Sequence, residues 1–185
     1  MFEVLPEGID INDVEIQFQD EARFGQQGSI TRIWAPKGSR PRVIRQGQFI
    51  SANIFGSVCP DRDFGFALIL PDKDTAMMQL FLDELSLTIP TGKHAVLVSD
   101  QASWHKTTKL KTPQNISLLF LPPYSPELNP IEQLWRQLKH GWLANRCFED
   151  YDDIVNVASR AWNEFVATSG AIKRLCSRGW ATLEC

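Results

Sequence analysis

Residues 121–135 read "LPPYSPELNPIEQLW", and they restrict the fold of the chain more than any other stretch. Pro122, Pro123, Pro126 and Pro130 fall within nine residues. Each fixes its own φ and lacks a backbone donor, and each pushes the preceding residue out of the helical region. Neither a strand nor a helix can run through such a segment. The strand expected over 115–123 ("NISLLFLPP") must therefore stop there, and a helix expected over about 126–144 must start afresh. Asn129-Pro130-Ile131-Glu132 fits a capping box, with Asn as N-cap, Pro at the first helical position and Glu at the third. That alone would explain Glu132. The apolar stripe Leu128, Ile131, Leu134, Trp135, Leu138 and Trp142 runs beside it, which predicts Glu132 at the rim of the core. A rigid approach also fixes where this first turn sits, which matters if Glu132 must meet other acids.

Upstream, "VEIQFQDE" (14–21) alternates apolar and polar residues, the period of a strand. Strands are also expected over 48–60, 64–70 and 94–100, with a helix over 74–85 capped by Asp74. Gly25, Gly28 and "APKGSRP" (35–41) mark turns or a hairpin. Helices close the chain over 150–167 and 170–177, the first opened by the acidic "EDYDD". Strands followed by alternating helices and strands make a mixed α/β pattern.

Two further acids stand at strand ends. Strand parity puts Asp20 on the face of Val14, Ile16 and Phe18, where a carboxylate is costly unless compensated. Glu21 falls on the polar face with Glu15, Gln17 and Gln19 and is the less informative acid. Asp100 follows the apolar run "HAVLVS", at the carboxyl end where α/β sheets bind ligands. Asp20 could equally end its strand in water, and Asp100 could equally cap a turn. Three carboxylates from distant segments nevertheless suggest one site. They would repel one another without cations, and all-oxygen ligands suit Mg²⁺ or Mn²⁺. Two such ions can drive phosphoryl transfer.

The formal net charge of −3 argues against general nucleic-acid adhesion, although local patches decide binding. The four cysteines form no CxxC pair, so reduced thiols in a cytoplasmic protein are expected rather than a zinc site. No run is long enough to span a membrane.

"QDEARFG" (19–25), "VSDQASWH" (98–105) and "LPPYSPELNPIEQLWRQLK" (121–139) together resemble the DDE transposases of the Tc–mariner superfamily, especially its bacterial insertion-sequence branch. The likeness runs from about 14 to 168. "RIWAPKGSRP" (32–41) is similar to the hairpin that follows the first acid in that family. The resemblance implies a ribonuclease-H-like α/β fold, a mixed central sheet flanked by helices. It implies metal-dependent DNA cleavage and strand transfer with two Mg²⁺ or Mn²⁺ ions, held by Asp20, Asp100 and Glu132 as the catalytic triad. The partners implied are transposon ends and target DNA, engaged by a homodimer. Asp100-Gln101 stands where the family commonly has Asp-Asn, and 31 residues separate Asp100 from Glu132, slightly fewer than usual. Family members carry N-terminal helix-turn-helix modules. Here residues 1–13 are expected to be a lead-in and 14–185 the catalytic domain, without that recognition region. Two rival readings are another ribonuclease-H-like metal nuclease, which cuts without joining, and a truncated remnant that only binds DNA.

Arg32, Lys37, Arg40, Arg42 and Arg45 form a basic stretch with no intervening acid, suited either to phosphates or to a solvated hairpin. Lys106, Lys109 and Lys111 follow Asp100, and Arg136 and Lys139 follow Glu132. Each could face DNA or water. His105 could orient Asp100 from behind. Trp34 could stack on a base. Trp104, Trp135, Trp142 and Trp162 are expected in the core.

Overall fold

The computed structural model describes residues 4–28 and 30–181, so Cys185 lies outside the described residues. Five strands form one mixed sheet in the order β3-β2-β1-β4-β5. They are β1 (Val14–Gly25), β2 (Ser51–Cys59), β3 (Phe64–Leu70), β4 (His94–Ser99) and β5 (Ile116–Phe120). β1, β2 and β3 are antiparallel neighbours, whereas β4 and β5 continue parallel to β1. Helix α1 (Thr75–Thr88) makes the crossover from β3 to β4 and covers one face. It packs Met78, Phe81, Leu82 and Leu85 against Phe55, Ala95 and Leu97. Helices α2 (Ile131–Leu138), α3 (Tyr151–Val166) and α4 (Ala171–Cys176) cover the other face. Their Leu134, Trp135, Ile154, Trp162 and Ile172 meet Ile16, Phe18, Ile54 and Val96. This is the ribonuclease-H-like arrangement, with helices on both faces.

The helix starts follow local chemistry. Asp74 accepts from the Met77 amide at 2.8 Å and Asp150 from that of Asp153 at 2.8 Å, so both act as N-caps.

Four expectations change. First, the polar side of β1 is not solvated: Gln17 and Gln19 are fully buried and Glu15 nearly so. β1 is the central strand, so α1 covers that side too. The polar groups pair with one another instead, apart from Gln19 Oε1, which has no hydrogen-bond partner among the described residues. Gln17 donates to Glu15, Ser57 donates to Gln17 at 2.7 Å, and Arg62 pairs with Glu15 at 3.3 Å. Second, no hairpin forms among the described residues of 26–50, and β2 begins only at Ser51. A turn at Pro36–Ser39 survives, with Gly38 at φ +86°. The prolines of this stretch remove ladder donors, and Ile33, Trp34, Ile44 and Phe49 all stay exposed, so no face of the segment is buried to hold a ladder. The segment is a strap, tied down where Asn145 exchanges two hydrogen bonds with the Thr31 backbone and Gln46 two with that of Phe148. Third, the helix expected over 126–144 is broken into a 3₁₀ turn (Pro126–Leu128), α2 and a π turn (Lys139–Leu143). Pro130 lacks the amide that would join the first two pieces. Fourth, Asn129 forms no capping box. Its side-chain amide donates to the Gln19 carbonyl at 2.8 Å, and no side chain caps α2.

Candidate active site

The sheet register brings the first two acids level. Phe18 of β1 lies beside Val98 of the parallel β4. Two residues further along the chain come Asp20, still within β1, and Asp100, just past the end of β4. The β5–α2 connection then passes across this edge and delivers Glu132 in the first turn of α2. Asp20, Asp100 and Glu132 line one cleft of about 540 Å³. The three predicted acids are thus brought together. Their exposure differs from expectation, because Asp20 alone is part-buried while Asp100 and Glu132 stand open to solvent. Glu132 projects from the exposed side of α2 into the cleft and not along its apolar stripe.

Asp20 is held from the helical side. The Trp135 indole N–H donates to its Oδ2 at 2.9 Å. Gly56 makes that possible. It is the cross-strand neighbour of Asp20, and a Cβ there would lie 2.5 Å from the Trp135 ring. Trp135 also meets Phe24 edge-on and tilts against Trp162, so its position is set by packing on three sides. Burial, then the charges of Glu132 and Glu21, push the Asp20 carboxyl up to about 7. The indole hydrogen bond works in the opposite sense without cancelling this.

Asp100 is held from the α1 side. Its Oδ1 accepts from the Ala102 amide at 2.9 Å and meets His105 Nδ1 at 2.9 Å. The other ring nitrogen of His105 meets Glu21 Oε1 at 2.8 Å. His105 and Glu21 are both almost completely buried. An imidazole facing a carboxylate oxygen at each nitrogen carries both protons when both acids are ionised. Burial pulls the His105 pKa down, but the hydrogen bonds to Asp100 and Glu21 outweigh it and raise it to about 9. The same hydrogen bond from His105 holds Asp100 below the usual carboxylate range. Gln19 donates to Glu21 at 2.9 Å, completing a buried polar chain behind the cleft. Glu21 therefore supports the site, although strand parity made it the less informative acid.

Trp135, expected only as core, touches Asp20 directly. A buried indole N–H needs a partner, and that was the available signal. Asn129 ties the start of α2 to β1. Lys106 donates to Gln101 at 2.9 Å and so stands at the cleft. Lys109 and Lys111 line a different groove with Gln79 and Asp83 of α1. Arg136 is exposed on α2, and Lys139 lies over the Phe24 ring at 6.0 Å. Arg32, Lys37, Arg40, Arg42 and Arg45 are all exposed on the strap, and none is ion-paired among the described residues. Trp34 is also fully exposed there.

Among the described residues, no three His, Cys, Asp or Glu side chains stand close enough together to cage an ion. Asp20 leans towards Trp135 and Asp100 towards His105. The donor set still fits a hard divalent cation: three carboxylates on one cleft, one of them with its pKa raised by burial and then by the charges of Glu132 and Glu21. No helix among the described residues is long and apolar enough to cross a membrane.

Residues 15–155 match the family described as DDE superfamily endonuclease. A Sinorhizobium fredii (strain NBRC 101917 / NGR234) protein, described as uncharacterized protein y4pE/y4sA, is 51% identical over 130 residues, covering 70% of this chain and 96% of that one. The insertion element IS630 uncharacterized 39 kDa protein of Shigella sonnei is 25% identical over 125 residues, covering 65% of this chain and 36% of its own. In fold the chain is similar to the Mos1 mariner paired end complex with Mn, with a TM-score of 0.67 at 16% identity. That match covers 89% of this chain and 52% of the Mos1 chain, so the chain spans about half the length of that solved structure.

Proposed function

The chain belongs to the DDE superfamily endonuclease family, and from that premise we propose that it is the catalytic part of a transposase, cutting and rejoining DNA in the cleft of Asp20, Asp100 and Glu132. The observation that carries this reading is the meeting of three acids, from β1, the end of β4 and the start of α2, in one cleft. Like charges gathered this way lower stability unless a cation joins them. Asp20, Asp100 and Glu132 would hold the metal. Two bound Mg²⁺ or Mn²⁺ ions supply activation of a water or 3′-hydroxyl and stabilisation of the leaving oxygen of a phosphodiester. The Mos1 structures described as complexes with Mn and with Mg support divalent chemistry in that protein, and the matching fold supports extending it here.

The protein's own side chains set the geometry. Trp135 aims Asp20. His105, anchored by Glu21, aims Asp100 and keeps it ionised. Asn129 seats the first turn of α2, and with it Glu132, against β1. Arg32, Lys37, Arg40, Arg42 and Arg45 on the strap, with Lys106, Arg136 and Lys139, offer charge for DNA phosphates; Lys109, in its separate groove, would reach them only on a longer path. The substrates are transposon ends and target DNA, engaged by two copies of the chain.

Mn²⁺ titration of the wild-type protein and of Asp20→Ala, Asp100→Ala and Glu132→Ala tests the centre. Saturable binding weakened by each substitution is expected, and binding indifferent to all three removes the proposal. Strand-transfer products from a pre-cut duplex then separate a transposase from a nuclease that only cuts.

A further inference from the structure

Resting on the reading of this cleft as a DNA active site, we propose that Tyr124 is a stacking platform for a nucleobase of the strand whose phosphate meets the acids. The two walls of the cleft differ in chemistry. One carries Asp20, Asp100 and Glu132, while the other is the run Leu121, Pro122, Pro123, Tyr124, Ser125 and Pro126, polar in its side chains only at Ser125 and the tyrosine hydroxyl. The second wall has no cation for a phosphate and little polarity for a sugar edge. It suits the flat apolar face of a base, which is what flanks any phosphodiester.

Tyr124 is the outstanding member of that wall. Its side chain is fully exposed, at 101% of the reference area. It makes no hydrogen bond or ring contact among the described residues, so the ring contributes nothing to the core. Its backbone sits at φ +59°, in the left-handed region that a bulky non-glycine residue rarely occupies. Strain of this kind gathers at functional sites, where the surroundings enforce it. The prolines at 122, 123 and 126 fix their own φ angles on either side of Tyr124 and so stiffen the backbone beneath the ring. A bare aromatic on a rigid ledge loses little freedom when a base covers it. Trp34 is just as bare, but it belongs to the strap and does not line the cleft. Every base has a π face, so the platform takes a nucleobase of any identity from unpaired or locally opened DNA.

The test compares binding of two labelled probes by fluorescence anisotropy, an eight-residue oligothymidylate and the same backbone with every base removed. Wild-type protein is expected to prefer the thymidylate. Tyr124→Ala should weaken that probe about 5- to 150-fold and leave the abasic backbone unchanged, the range expected for loss of one base–aromatic stack. Tyr124→Trp should retain the preference. The ring is fully exposed, so the melting temperature of Tyr124→Ala should stay within about 2 °C of wild type. Equal weakening of both probes overturns the proposal, because it marks a backbone contact. So does an unchanged preference, which leaves the ring to a protein partner, and so does a wild-type protein that does not distinguish the probes. The Mn²⁺ titration separates the levels. If the acids matter for Mn²⁺ and the base preference ignores Tyr124, the platform alone falls. If Mn²⁺ binding ignores the acids, the active-site reading falls with it.

Discussion

The fold raises the pKa of the Asp20 carboxyl, and this makes stability fall as pH rises. Its pKa is moved from 3.8 to about 7 by burial and by the charges of Glu132 and Glu21. In the unfolded chain it ionises near the ordinary aspartate value of about 3.9. Below that pH both states hold the proton and the group is neutral to stability. Between about pH 4 and pH 7 the unfolded chain sheds the proton while the folded chain keeps it, so the balance shifts towards unfolding. Above pH 7 the loss is complete. About three pKa units at 1.36 kcal/mol each give a loss of roughly 4 kcal/mol. For a domain of this size that is about 10 °C in melting temperature. Asp20→Asn removes the titration while retaining a carbonyl for the Trp135 indole. Urea melts of both proteins at intervals from pH 4 to pH 8 isolate the effect, because all other groups are shared. The variant's stability should gain on wild type across that window, by up to about 4 kcal/mol. Saturating Mn²⁺ should shrink the wild-type slope and leave that of the variant unchanged, because a bound cation favours the ionised form. Parallel stability curves for the two proteins would refute the reasoning: Asp20 would then ionise normally and carry no unmet demand for a cation.

The His105 ring should titrate near pH 9 by NMR, and Glu21→Gln should lower that value and weaken Mn²⁺ binding through Asp100. Its raised pKa adds stability that is fully present below about pH 6.5 and is lost as pH rises through 9. Gly56→Ala places a Cβ 2.5 Å from the Trp135 ring, and overpacking of this kind costs about 1–3 kcal/mol in urea melts. Trp135→Phe removes the hydrogen bond to Asp20 and should raise the Asp20 pKa further, seen as a later onset of Mn²⁺ binding on a pH titration. Arg40→Ala, Arg42→Ala and Arg45→Ala together should flatten the dependence of log affinity for duplex DNA on log salt by about 2 to 3, with no change in Mn²⁺ affinity.

The sequence is most legible where period and punctuation coincide. Alternation located β1, and the prolines after Phe120 ended β5 and separated it from α2. Asp74 announced its helix because a short acceptor before an apolar stripe has few other uses, and the acidic run 149–153 announced the next through the helix dipole. The failures share one physical cause, that side-chain direction depends on what covers each face. Parity sorted the residues of β1 correctly between its two sides. It could not reveal that α1 would bury Glu15, Gln17 and Gln19, because that needs the strand order. Asn129 had the residue type and spacing of a cap, yet its amide found the Gln19 carbonyl, a partner 110 residues away. The strap has turn chemistry like a hairpin but no apolar alternation to make its two arms pair.

Gln19, Asp20 and Glu21 explain how three acids on separate elements keep one geometry. The Gln19 carbonyl receives Asn129, which fixes the start of α2 and therefore Glu132. Asp20 points to the helical side and receives Trp135, from the same helix one turn on. Glu21 points to the opposite side and, through His105, holds Asp100 at the end of β4. Consecutive residues on a strand face opposite ways, so one tripeptide can grip elements on both faces of the sheet. A one-residue slip of β1 would exchange those faces and break all three links at once. The burial of the Glu15–Gln17–Ser57 chain counters such a slip, because these polar groups find partners only in the observed register. The polar residues buried along β1 thus hold the strand in the one alignment that brings Asp20 level with Asp100 and within reach of α2.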